Sequence, residues 1–166
     1  MSRRLPGAGL HQKRRAQMKF EIPKSMKTEH DELHADLVKA TNAGGKTGEA
    51  AKAVAKVLHN HFIKEEEYAL PPLGLLVALS EGKFETGMAE VLKMTDKLEA
   101  ELPTMLSEHK DIVARLKELI EAAKIENKPD VVHFAEKLML HAQTEEQVAY
   151  PTALLIGRYV KSKLAA

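Results

Sequence analysis

HFIKEEEYALPP, residues 61–72, and HAQTEEQVAYPT, residues 141–152, each place a histidine and a glutamate four residues apart, add a second glutamate, and reach a proline ten residues after the histidine. A helix returns to the same face after four residues, so His61 with Glu65, and His141 with Glu145, each point one way about a turn apart. One such pair is commonplace on a helix surface. Two in the same register indicate an internal duplication.

The preceding segments repeat as well. MKTEHDEL, residues 26–33, lies over MLSEHKDI, residues 105–112, and aligns His30 with His109. Each half therefore supplies a lone histidine on one helix and an HxxxE pair on the next, and a helical hairpin would bring them together. If all these helices face a common core, four imidazoles and two carboxylates converge there. Burying them among Leu, Val and Met strips the carboxylates of hydration and leaves the imidazoles in need of partners, a deficit that a cation makes good.

The chain has no cysteine, which removes disulfides, thiolate metal sites and thiol nucleophiles together and suits a reducing, cytoplasmic setting. Any metal must be held by His, Asp, Glu or Tyr. Imidazole with carboxylate suits Fe, Mn or Zn better than Ca or Mg. Six ligands exceed what one tetrahedral ion needs, so two ions bridged by Glu65 and Glu145 are the economical arrangement. The metal ligands expected are His30, His61, Glu65, His109, His141 and Glu145. His34, one turn after His30, is matched by Val113 in the second half, and is a further ligand, a donor to a ligand or a residue lining the pocket. Glu66 and Glu146 point about 100° away from the ligands they follow, towards solvent or the outer side of the site. Glu29 and Glu108 read as solvated acids, His59 as exposed, His133 as core or as a neighbour of the ligands, and Tyr68 and Tyr150 as packing residues within reach of the site.

Periodicity predicts an all-α, up-down-up-down four-helix bundle with short additional helices. Met26, His30, Leu33, Leu37 and Ala40 mark one helix over about 24–42. After a breaker from Asn42 to Gly48, a second runs to Pro71, because the residue before a proline resists the helical conformation. Leu73–Leu79 suggests a short helical turn closed by Gly82. A segment from Glu85 leads to Pro103, which is expected to kink or interrupt the chain before a third helix over 104–123. A fourth runs from Pro129 to about Tyr150, stopping or bending at Pro151, and a tail helix follows.

Aromatic residues are 4% of the chain, with no tryptophan, as expected of aliphatic helices packed on one another. Residues 1–20 hold six of the 25 Lys and Arg and no acid, leaving 19 against all 24 Asp and Glu in the rest. This divides the chain into a basic extension, 1–20, expected to be disordered, and a single domain, 21–166. A mildly acidic body and a basic segment without interleaved aromatics do not suggest nucleic-acid binding. The longest apolar run, Ala69 to Leu79, is shorter than the roughly 20 residues of a membrane span.

His30, His61-x-x-x-Glu65, His109 and His141-x-x-x-Glu145, with the second glutamate and the trailing proline after each pair, resemble the hemerythrin-like, or HHE cation-binding, domains over about residues 24–157. The resemblance implies a four-helix bundle around a carboxylate-bridged, non-haem di-iron centre that binds or reacts with O2, peroxide or nitric oxide, and so senses, buffers or detoxifies it. The chain departs from the oxygen-carrying members at Val113, where they have a further histidine. It departs again in its second HxxxE, where their acid comes five residues after the histidine. Both departures point away from reversible O2 transport. The alternative is a metal- or redox-responsive interaction module without turnover, for a protein partner that the sequence does not name.

Overall fold

The computed structural model describes residues 20–166. The basic segment, Phe20 apart, lies outside the described residues. Six α-helices follow: α1 (Lys24–Thr41), α2 (Gly45–Lys64), α3 (Leu76–Ser80), α4 (Leu92–Ile125), α5 (Pro129–Thr144) and α6 (Tyr150–Leu164). One-turn π-helices at Glu65–Ala69 and Glu145–Ala149 extend α2 and join α5 to α6, and 3-10 turns at Pro71–Leu75 and Thr86–Val91 flank α3. Among the described residues there is no strand. Helix α1 packs on α2, α2 on α4, α4 on α5 and α5 back on α1, which closes an up-down-up-down bundle, while α6 lies against α4. No described helix is long and apolar enough to cross a membrane.

The core is divided in two. Leu33, Leu37, Leu58, Ile112, Leu116, Leu119, Phe134 and Leu138 form one buried cluster. Tyr68, Leu70, Leu73, Val91, Leu98, Met105, Tyr150 and Ile156 form the other. On each long helix the residues between the two clusters are those of the repeated motifs: His30 on α1, His61 on α2 with Glu65 just beyond it, His109 on α4, and His141 on α5 followed by Glu145. The apolar stripes on either side hold the four helices in register around that layer, burying each Leu or Ile at about 1.5–3 kcal/mol.

Three boundaries differ from expectation. Helix α4 runs through Pro103 without interruption. Proline there deprives the Glu99 carbonyl of its donor, but both residues are exposed, so water can satisfy the carbonyl. Helix α2 begins at Gly45, inside the expected breaker. The irregularity in the last long helix falls at Glu145 rather than at Pro151, which sits in the first turn of α6.

The end of the bundle remote from α6 is tied by two side chains, Lys128, which donates to the Ala43 and Gly44 carbonyls, and Glu126. The Glu126 carboxylate accepts from the Lys46 N–H (2.7 Å), the Thr47 N–H (3.2 Å) and the Thr47 hydroxyl (2.6 Å), and so caps the start of α2. Gly45, at φ +59°, approaches so closely that a β-carbon there would strike this carboxylate. The Thr47 hydroxyl first, then Lys128 and the backbone donors, lower the Glu126 pKa to about 2. A depressed carboxylate contributes stability above its ordinary pKa and loses it as pH falls through the folded value. Relative to the intrinsic rate at each pH, amide exchange at Lys46 and Thr47 is therefore expected to stay slow down to about pH 4 and to accelerate as pH approaches 2. In Glu126→Ala it should be fast at every pH.

Candidate metal centre

At Glu65 and at Glu145 the helix widens. The Leu70 N–H reaches back five residues to the Glu65 carbonyl (2.9 Å), and the Tyr150 N–H does the same to that of Glu145. Such single π turns inside α-helical runs recur at functional sites. Here each begins at a carboxylate and brings the residue five positions on, Leu70 or Tyr150, next to it along the chain.

The structure brings the six motif residues together. His30, His61, His109 and His141 are 1–4% exposed, Glu65 is 0% and Glu145 2%. Two groups result, His61 and His109 with Glu65 and Glu145, and His30 and His141 with Glu145. Glu65 Oε1 lies 3.1 Å from His61 Nε2 and 3.8 Å from His109 Nε2, while its Oε2 lies 3.8 Å from His30 Nε2. Glu145 Oε1 lies 3.0 Å from His141 Nε2 and 3.3 Å from His30 Nε2, and its Oε2 is 3.5 Å from His109 Nε2. Each carboxylate therefore stands between the imidazole pairs and turns one oxygen to each.

A second set of acids lies behind the histidines. His61 Nδ1 donates to Glu108 (2.8 Å) and His109 Nδ1 to Glu146 (3.0 Å). His30 Nδ1 faces Glu66 at 3.6 Å and His141 Nδ1 faces Glu29 at 3.5 Å, close enough for attraction but not for a direct hydrogen bond. The pattern follows the repeat. The acid after each shared carboxylate faces the lone histidine of its own half, and the acid before each lone histidine faces the paired histidine of the other half. Lys64 bonds Glu108, and Lys27 bonds Glu66 at 3.1 Å. Glu108 is thus hydrogen-bonded to an imidazole rather than a free solvated acid, whereas Glu29 is solvated as expected and also lies beside His141. The signal was available, since both aligned with each other in the repeat.

The donor set fits a cation on two grounds. With Nδ1–H engaged by Glu108 and by Glu146, neutral His61 and His109 present Nε2 lone pairs to each other across 2.7 Å, a contact that repels unless a proton or a metal ion sits between them. Glu65 Oε2 and His141 Nε2, both buried and turned inward, have no hydrogen-bond partner. The electrostatics agree. Burial disfavours a charged imidazole, yet Glu145 and Glu65 outweigh it at His109 and raise its pKa to about 10. His61, with Glu65 and Glu108, and His141, chiefly with Glu145, are raised in the same way. Burial works against ionised Glu145, but His109, His141 and His30 hold its carboxyl well below the usual range. The cluster draws positive charge, and protons answer where no metal does.

The remaining candidates divide. His34 is exposed and stands outside both groups, lining a surface crevice of about 450 Å³ with His59 and Phe62. His59 is exposed as expected, and so is His133, contrary to the core or ligand-side position expected of it. Tyr68 packs in the apolar cluster with its hydroxyl unpartnered. Tyr150 does more than pack. Its hydroxyl donates to Glu65 Oε1 and lies 3.4 Å from His61 Nε2 and 3.4 Å from His109 Nε2. Nothing in the repeat marked it, because its counterpart is Leu70.

Over residues 22–153 the chain matches the family model of the hemerythrin HHE cation binding domain. No curated protein and no solved structure matches it. Acids that orient ligand imidazoles are worth about 10–100-fold in metal affinity. Glu108→Ala is accordingly expected to weaken cation retention by about that factor in competition with a chelator, whereas Glu118→Ala, at an exposed acid of the same helix, leaves it unchanged.

Proposed function

This chain belongs to the family of hemerythrin HHE cation-binding domains, and we propose that its buried cluster holds two non-haem iron ions and binds or reacts with a small oxidant: O2, peroxide or nitric oxide. His61 and His109 would hold one ion, His30 and His141 the other, with Glu65 and Glu145 shared. The observation that carries this reading is the position of those two carboxylates, each offering one oxygen to each imidazole pair. Imidazole and carboxylate donors without thiolate favour iron or another first-row metal over calcium or magnesium. When bound, a pair of such ions supplies redox chemistry that no side chain here can provide.

The protein's part is positional. Glu108 and Glu146 keep the Nδ1 protons of His61 and His109, so that Nε2 of each ring is the atom offered inward. Phe62 stacks on His30 at 4.5 Å between ring centres and closes its outer face. The two apolar clusters above and below exclude water and keep the local dielectric low. The exposed position of His34 and the valine at 113 leave four imidazoles for two ions. That is a less nitrogen-rich set than the resemblance implies for oxygen carriers, and it favours sensing, buffering or reductive removal of the oxidant over its transport. The cysteine-free composition is consistent with work in a reducing cytoplasm.

Anaerobic loading with ferrous iron followed by metal analysis is expected to return about two irons per chain, and His61→Ala with Glu65→Ala to lose most of that metal. The loaded protein's ultraviolet–visible spectrum should change on exposure to at least one of O2, peroxide and nitric oxide. A protein that stays iron-free, or whose iron content ignores the double substitution, would contradict the proposal. Stability gives a second test, because a ligand present at 100 times its Kd adds about 2.7 kcal/mol to the folded state. Chelation should lower Tm in the native chain and leave the double variant unmoved.

A further inference from the structure

The two halves of the cluster differ in a residue able to donate to a cation. The residue five positions after each shared carboxylate is Leu70 in the first half and Tyr150 in the second, and each follows directly on its π turn. Leucine offers no donor atom. Tyr150 is 1% exposed, and its ring stacks on His109 with centres 5.7 Å apart.

Its hydroxyl oxygen is 3.4 Å from His61 Nε2, 3.4 Å from His109 Nε2 and hydrogen-bonded to Glu65 Oε1. The two nitrogens are 2.7 Å apart, and Glu65 Oε1 is 3.1 Å from the first of them. Two ligands about 2.1 Å from one ion at adjacent octahedral corners are about 3 Å from each other. The separations among these atoms scatter about that value: 2.7 Å between the nitrogens, 3.1 Å from His61 Nε2 and 3.8 Å from His109 Nε2 to Glu65 Oε1, and 3.4 Å from the hydroxyl to each nitrogen. Besides donating to Glu65, the hydroxyl thus stands equally far from both imidazole nitrogens.

We propose that Tyr150 Oη is a ligand of the ion held by His61 and His109, whereas the ion held by His30 and His141 has no counterpart and keeps a position free for the small oxidant. The inference rests on the two-ion reading above. When the ligand bond forms, the phenol O–H gives way to an O–metal bond and the proton passes to solvent, with no change of oxidation state. Tyr68, three residues after Glu65 with a buried but unpartnered hydroxyl outside both groups, serves as the internal control.

Iron-loaded protein oxidised to the ferric state should absorb in the visible, as ferric phenolates do. The band should persist in Tyr68→Phe and vanish in Tyr150→Phe, with metal analysis still returning about two irons in each. A visible spectrum unchanged by Tyr150→Phe at full iron content would overturn the proposal. A measurement on the unaltered chain guards against a variant that fails to fold or load. Resonance Raman excited in the visible should enhance tyrosine ring modes that shift when ring-deuterated tyrosine is incorporated, and their absence would also overturn it. Failure of the native chain to hold iron would instead bring down the two-ion reading and this inference with it.

Discussion

Two carboxylates buried among four imidazoles are the constraint around which this bundle is built. Glu65 is fully removed from solvent and Glu145 nearly so. Ionised groups there are supportable only if positive charge and hydrogen bonds replace the lost water. Four helices each deliver one imidazole to the same level, and that convergence requires the apolar stripes on both sides to keep all four in register. The division of the core into two clusters is the visible consequence. The outer acids follow from the same constraint, since imidazoles that turn Nε2 inward need acceptors for the protons on Nδ1.

Much of this was legible in the sequence because the chain says it twice. One HxxxE pair would have been uninformative; the echo of His61 and Glu65 in His141 and Glu145, and of His30 in His109, marked the helices, their order and the residues that meet. The bundle needed only the apolar periodicity between those points. Duplication also identifies what a single copy hides, and the alignment of Glu29 with Glu108 marks two of the outer acids.

The rest was hidden for physical reasons. A π turn changes no residue type, so the widening at Glu65 and Glu145 left no trace in periodicity, and the expected break at Pro151 was a displaced sign of it. Pro103 misled in the opposite direction, because a proline on an exposed helical face leaves its unpaired carbonyl to water. His34 keeps helical spacing with His30, yet the buried stripe of α1 runs through His30, Leu33 and Leu37, and His34 lies on its exposed flank. Tyr150 sits where the duplication fails, with Leu70 as its counterpart, so repetition carries no sign of it.

The central claim is that two cations occupy this layer, one on each side of the pair Glu65 and Glu145. It is tested most directly by anomalous diffraction at the iron edge from crystals of the iron-loaded protein. The account predicts two separate peaks, one among His61, His109 and the shared carboxylates, the other among His30, His141 and the same two carboxylates. A single peak, or none in a fully loaded crystal, would contradict it.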